Sequence, residues 1–269
     1  MEAVGVHEGV DLMALSCVNE NFQDRPLIAF VHVPKTSGTS VNFILSTSTL
    51  KGRDHIQNCV ADPTELKDQL ATLDWVSGHL NPDLMKRFLT GLTDRQLRLF
   101  ATIRHPVSQI ASHYNWLIQI FHISDAFYRA VPENIKEISE GIRGSDNTDP
   151  LQVIERISSA GWLMLNQQTK ALLAFGGDKL VDNAILDRLK PYEFVATERY
   201  LPELIERMTG QTVEVPPVKN KSPYHFDPAV FRTPEVTEFL KEKHNADFAL
   251  YDYFERIGGC YPPVVVDAG

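Results

Sequence analysis

The sequence predicts a single α/β domain in which helices flank a central parallel sheet, and three observations carry that expectation. Short apolar runs rich in β-forming residues recur along the chain, each ends in a turn, and the turns open segments with apolar residues at helical spacing. The chain has 269 residues, 43% hydrophobic and 23% charged, with 15 Gly and 16 Pro. That is the make-up of a globular protein long enough to bury a core around a ligand cleft. It excludes disorder, collagen and a membrane bundle.

Residues 1–25 show little periodicity and read as a lead-in segment ending at Asp24-Arg25-Pro26, where proline disfavours helix in its predecessor. The domain is placed at 26–257, with a C-terminal tail at 258–269. Residues 27–33 form the first apolar run, bounded by Pro26 and Pro34 and suited to a buried parallel strand. Behind Thr39 and Ser40, Val41, Ile44 and Leu45 fall at helical spacing. Residues 75–80 are a second strand, ending at the turn signal Asn81-Pro82. Residues 97–103 are a third, and Pro106 then starts a helix carrying Val107, Ile110, Ala111, Tyr114, Ile118 and Phe121. Residues 140–150 read as a loop, 151–174 as helical and 192–197 as a fourth strand. Leu201, Leu204, Ile205 and Met208 suit a helix stopped by Gly210. The proline-rich segment 213–228 reads as an ordered loop, and 234–256 as a last helical region.

Lys+Arg number 26 and Asp+Glu 35, a net charge of −9, so nothing in the global field invites nucleic acid or an anionic membrane, and an anionic ligand needs a local basic pocket. Cys17, Cys59 and Cys260 are widely spaced and form no C-x-x-C pair, which argues against a disulfide framework or zinc ribbon and for a reducing compartment. The first basic residue is Arg25, so the start lacks a signal-peptide n-region. No run approaches a bilayer span. The expectation is a cytoplasmic protein, its oligomeric state unread.

Two segments carry chemistry. In His32-Val-Pro-Lys35-Thr36-Ser37-Gly38-Thr39-Ser40 a strand passes into a helix, offering backbone N–H groups, hydroxyls and an ammonium at the positive helix end, a phosphate-sized anion site. It is no Walker A loop, because the lysine precedes the turn. The second, Arg104-His105-Pro106 with Ser112 two turns on, sets a guanidinium and a hydroxyl for another phosphate.

Pro-Lys-Thr-x-Gly-Thr-Ser followed by Arg-x-Pro-(x5)-Ser-x-Tyr resembles the paired 5′-phosphosulfate and 3′-phosphate motifs of sulfotransferases that use 3′-phosphoadenosine 5′-phosphosulfate (PAPS). Ser-Gly-His79-Leu, Asn166-Gln-Gln-Thr169, Phe194-Val-Ala-Thr-Glu198-Arg199 and Lys219-Asn-Lys-Ser222 are similar to the branch that includes the heparan sulfate and uronyl 2-O-sulfotransferases. The resemblance runs from about 27 to 257 and departs at Gln109, where the family often has arginine.

The resemblance implies a P-loop NTPase-like sulfotransferase fold and in-line sulfuryl transfer from PAPS to an acceptor hydroxyl, leaving 3′,5′-ADP. Lys35 and the amides and hydroxyls of Thr36, Ser37, Gly38, Thr39 and Ser40 hold the 5′-phosphate, and Arg104 and Ser112 the 3′-phosphate. Lys219 or Lys221 supplies charge in place of Gln109. By motif match His79 is the general base, a task its ordinary pKa suits. Gln167, Gln168 and Glu198 are candidate acceptor contacts, and Trp116, Phe127, Tyr128 and Trp162 a candidate aromatic platform. The design calls for no metal, and the sequence has no D-x-D or H-E-x-x-H cluster. The acceptor is a carbohydrate, lipid or small-molecule alcohol. Rival readings are a small-molecule kinase, against which the missing Walker A lysine counts, and a non-catalytic glycan- or protein-binding module on the same fold.

Overall fold

A computed structural model describes residues 25–177, 180–212 and 223–264. Its strands are β1 (Leu27–Val31), β2 (Gly52–Arg53), β3 (Trp75–Gly78), β4 (Leu97–Ile103), β5 (Tyr192–Thr197) and β6 (Cys260–Tyr261). They form one sheet in the order β2-β3-β1-β4-β5-β6. Every pairing is parallel except that of β6, which runs antiparallel to β5 with Val195 opposite Tyr261. The expected central parallel sheet is therefore present with one antiparallel edge strand, which makes it a mixed one. The expected tail contributes its edge strand, which the turn at Gly258 and Gly259, both at φ 94, brings back alongside β5, a conformation open to glycine.

The helices are α1 (Gly38–Thr47), α2 (Thr64–Gln69), α3 (Pro82–Thr90), α4 (Pro106–Ile123), α5 (Asp125–Ala130) and α6 (Glu133–Arg143), followed by α7 (Pro150–Ala160), α8 (Gln167–Leu173), α9 (Asp182–Leu189), α10 (Leu201–Thr209), α11 (Pro234–Lys243) and α12 (Asn245–Arg256). Three expectations need redrawing. The loop at 140–150 begins only after Arg143, because α6 reaches that far. Residues 151–174 are not one helix, since Gly161 at φ 46 ends α7 and α8 starts afresh. Residues 234–256 divide at His244, whose ring is buried and accepts a bond from the Asn166 amide at 3.4 Å. Of the segment 213–228, residues 213–222 lie outside the described residues, Lys219 and Lys221 with them.

The sheet divides the core by its pleat, as successive side chains on a strand point to opposite faces. Leu27, Ala29 and Val31 enter one cluster with Leu99, Ala101 and Ile103, under α3, α8, α9 and α12. Ile28 and Phe30 enter the other with Phe100 and Phe194, under α1 and α10. A third cluster, built by α4, α6, α7 and α11 around Tyr114 and Phe231, extends the helical layer. Among the described residues no helix is long and apolar enough to cross a membrane.

From β1 the chain moves to β2 and β3 on one side, then crosses to β4 on the other. The strand order thus switches direction between β1 and β4, the place where open α/β sheets receive ligands at the carboxyl ends of their strands.

Candidate active site

The carboxyl ends of β3, β1, β4 and β5 lie side by side, with Val31 paired to Gly78 and to Ala101, and Ile103 to Thr197. The residue following each strand faces the same rim: His79 after β3, His32 after β1, Arg104 after β4 and Glu198 after β5.

After β1 the chain turns tightly through Lys35 at φ 63 and Ser37 at φ 76, both left-handed. Such backbone persists in non-glycine residues only where the surroundings enforce it. Here the Thr36 hydroxyl donates to the Val33 carbonyl at 3.0 Å and shares a 3.1 Å bond with the Thr102 hydroxyl on β4. The Gln109 amide of α4 donates to the Pro34 carbonyl at 3.0 Å. Thr36 is fully buried, so its hydroxyl shapes the loop and is not offered to a ligand. Gln109 likewise braces the loop from a fully buried position.

The turn opens α1 with Ser40 and Val41 both donating to the Ser37 carbonyl, which leaves the Gly38 and Thr39 amides as the leading, unpaired donors of the helix. Gly38 has to be glycine, because a Cβ there would fall 2.0 Å from the Cδ2 of His32.

The Ser37 hydroxyl donates to Glu198 Oε1 at 3.3 Å, and the same oxygen pairs with Arg104 Nε at 3.0 Å. One carboxylate therefore spans the turn after β1 and the end of β4. Arg104 itself is fixed through its backbone. Gln168 Oε1 accepts its N–H at 2.8 Å and Gln168 Nε2 donates to its carbonyl at 2.9 Å. Asp247 of α12 accepts from the Gln168 N–H, the Thr169 N–H and the Thr169 hydroxyl, and burial pushes its carboxyl up to about 6. Gln168, expected at the acceptor, is thus 1% exposed and committed to holding Arg104. Gln167 donates to the Trp162 carbonyl at 2.8 Å. Ser112 sits half-buried on α4 with no hydrogen bond to a described residue. Of the aromatic platform, Trp116 and Tyr128 pack against the α4–α7 core, while Phe127 and Trp162 stay exposed.

Burial, and then the neighbouring Arg104, lower the Lys35 pKa. Two cations therefore crowd one rim, a field that an entering anion relieves. Beyond Arg104 the rim opens into a cleft of about 280 Å³ lined by His105, Glu198, Arg199, Tyr251 and Glu255.

On the other flank, His79 Nδ1 lies 2.7 Å from the His32 carbonyl oxygen. A carbonyl only accepts, so the proton sits on Nδ1 and Nε2 keeps its lone pair. Burial lowers the His79 pKa, the bond to His32 works against that, and the nearby His55 lowers it further. The His32 ring, 4.3 Å from that of His79 between centroids, is held down at about 3 by burial, then His79, His55 and Lys35. His113 on α4 is held at about 4 by burial, with Lys35 and His79 adding. Both rings are neutral packing groups.

Sequence reasoning missed His55 and its neighbour Gln57, which this flank also contains. Their segment has no periodicity, and the adjoining strand β2 has only 2 residues. Among the described residues no His, Cys, Asp or Glu side chains are grouped to hold a metal ion. No protein-family model matches the chain, and no curated protein is detectably similar to it.

Proposed function

We propose that this chain is a PAPS-dependent sulfotransferase that moves a sulfuryl group to an acceptor hydroxyl. The observation that carries the reading is the placing of Lys35 and Arg104 on either side of the switch between β1 and β4, with His79 one strand further on. Two cationic segments at one rim suit a donor with phosphates at both ends of its ribose. A single nucleoside triphosphate chain needs only one.

In this reading Lys35 and the amides at the start of α1 hold the 5′-phosphate, while Arg104 and Ser112 hold the 3′-phosphate. The acceptor O–H gives its proton to His79 Nε2 as its oxygen bonds to sulfur. The bond between sulfur and the bridging phosphate oxygen breaks, and the electron pair leaves with 3′,5′-ADP. Lys35 stabilises that growing charge in a water-poor setting, where a fixed cation is worth most. The acceptor is a carbohydrate, lipid or small-molecule alcohol.

Calorimetry at fixed ionic strength with 3′,5′-ADP, 5′-AMP, ADP and ATP, with and without Mg²⁺, tests the donor site. Metal-independent preference for 3′,5′-ADP is expected. Preference for ATP with Mg²⁺ would turn the reading to a kinase, and no nucleotide binding would turn it to a binding module.

A further inference from the structure

The turn at 54–57 carries a histidine in a conformation the chain has to enforce. His55 has φ 53 and ψ 36, left-handed, and begins a short helical turn at Ile56–Cys59. Its ring lies 5.6 Å from that of His79 and 6.3 Å from that of His32. Its side chain is 50% exposed, so a solute can reach it.

One amide touches both histidines, the ring of His55 and the backbone of His79. Gln57 Oε1 accepts the backbone N–H of His79 at 3.0 Å. A backbone N–H only donates, so this end of the amide is its oxygen and the other end its NH₂. That NH₂ lies 3.1 Å from His55 Nδ1 and must donate to it. His55 Nδ1 is therefore an acceptor, and in the neutral ring the proton sits on Nε2. The opposite assignment holds for His79, whose Nδ1 carries the proton against the His32 carbonyl. Gly78 keeps the turn close: a Cβ there would meet Ile56 Cγ1 at 2.9 Å and Gln57 Oε1 at 3.0 Å.

The neighbouring rings thus differ in kind at Nε2, a lone pair on His79 and an N–H on His55. We propose that His55 is a second acceptor-site residue, donating its Nε2–H to an oxygen adjacent to the hydroxyl that His79 deprotonates, with Gln57 as the positioning residue for both. The site then selects acceptors bearing two oxygens on adjacent carbons, a vicinal diol or hydroxy-ether, over isolated alcohols. This rests on the sulfotransferase reading for what happens to the deprotonated oxygen, and on the ring geometry alone for recognition.

The other charged groups facing this flank are Lys35, which with His79 and His55 acts on His32, and Asp54, whose Oδ2 is 3.9 Å from His55 Nε2. At that distance Asp54 makes no hydrogen bond with the ring, so the N–H remains open to an entering oxygen.

The test uses the whole protein labelled with ¹⁵N-histidine, at about pH 8, where an ordinary imidazole is neutral. Ring nitrogens are assigned by loss of signals in His55→Gln and His79→Gln. The wild type is titrated with cis-1,2-cyclohexanediol and with cyclohexanol. The expected spectrum has His79 protonated on Nδ1 and His55 on Nε2, with the diol shifting both rings and cyclohexanol shifting His79 alone. A proton on His55 Nδ1, a diol that leaves the His55 ring unmoved, or equal effects of the two alcohols would overturn the proposal. Calorimetry with 3′,5′-ADP on the same sample reads the donor site separately, so failure there removes sulfuryl transfer and leaves the ring result standing on its own.

Discussion

At the scale of single residues, the rim sets one carboxylate against two cations, and the proposed function adds an anion that competes for the same cations. Glu198 Oε1 engages both Ser37 and Arg104, so it occupies hydrogen-bonding capacity that a phosphate would use. Glu198→Gln keeps the shape and removes the charge. The variant is expected to bind 3′,5′-ADP several-fold more tightly, by about 1 kcal/mol in keeping with a half-exposed pair, and to show a changed salt dependence. Unchanged affinity would reduce Glu198 to a surface ion pair. His79 is separable from the donor: His79→Ala should bind 3′,5′-ADP as the wild type does, while transfer of labelled sulfate from PAPS falls by about 10²–10⁴-fold, the usual yield of a positioned base. Normal turnover with the true acceptor would remove His79 from the chemistry. Because burial lowers its pKa, the acid limb of kcat/KM is expected below the ordinary histidine range.

At the scale of elements, the chain's four longer strands are legible because each is a short apolar run closed by a turn residue. The mixed edge was not: β6 is 2 residues long and antiparallel, and nothing in Cys260-Tyr261 distinguishes a strand from a tail. The positions of Arg104 and His79 are legible for a related reason, since each follows a strand directly, and Lys35 lies in the turn that closes β1, where the topology brings strand ends together. Gln168 shows where such reading stops. Its place in an Asn-Gln-Gln-Thr run suggested a ligand contact, yet α8 turns it toward the Arg104 backbone under the control of Asp247. His55 was invisible because a left-handed turn, which no spacing pattern encodes, delivers it beside His79. The clamp gives a test at this scale. Gln168→Leu leaves the Arg104 N–H and carbonyl unpaired at a cost of about 1–3 kcal/mol, so urea unfolding should show a lower midpoint. If Lys35 holds the 5′-phosphate and Arg104 the 3′-phosphate, as proposed, the same variant should weaken 3′,5′-ADP while sparing 5′-AMP. Equal loss for both nucleotides would mean that α8 supports the sheet generally and not Arg104 in particular.

At the scale of the whole molecule, the buried titratable groups give the fold a defined response to acid. Burial holds His32 at about 3, and His113 and His244 at about 4, against an ordinary value of 6.5. Above pH 6.5 the rings are largely neutral in both folded and unfolded chains, and their full contribution to stability is present. As pH falls below that value the unfolded chain takes up protons that the folded chain refuses, so stability is lost progressively down to about pH 3–4. His113 alone, 5% exposed and shifted from 6.5 to about 4, corresponds to roughly 3 kcal/mol at about 1.4 kcal/mol per unit. Asp247 works in the other direction. Burial raises it from 3.8 to about 6, so it contributes stability that is fully present below 3.8 and is lost as pH rises through 6. Three imidazoles outweigh one carboxyl, and the net slope between pH 6.5 and 4 is toward unfolding in acid. Urea midpoints measured from pH 7.5 to 4.5 should therefore fall steadily as pH drops. Asp247→Asn should steepen that fall by removing the opposing group. A midpoint independent of pH over this range would mean that these imidazoles are hydrated in solution, and the neutral packing assigned to His32 and His113 beside His79 would have to be given up.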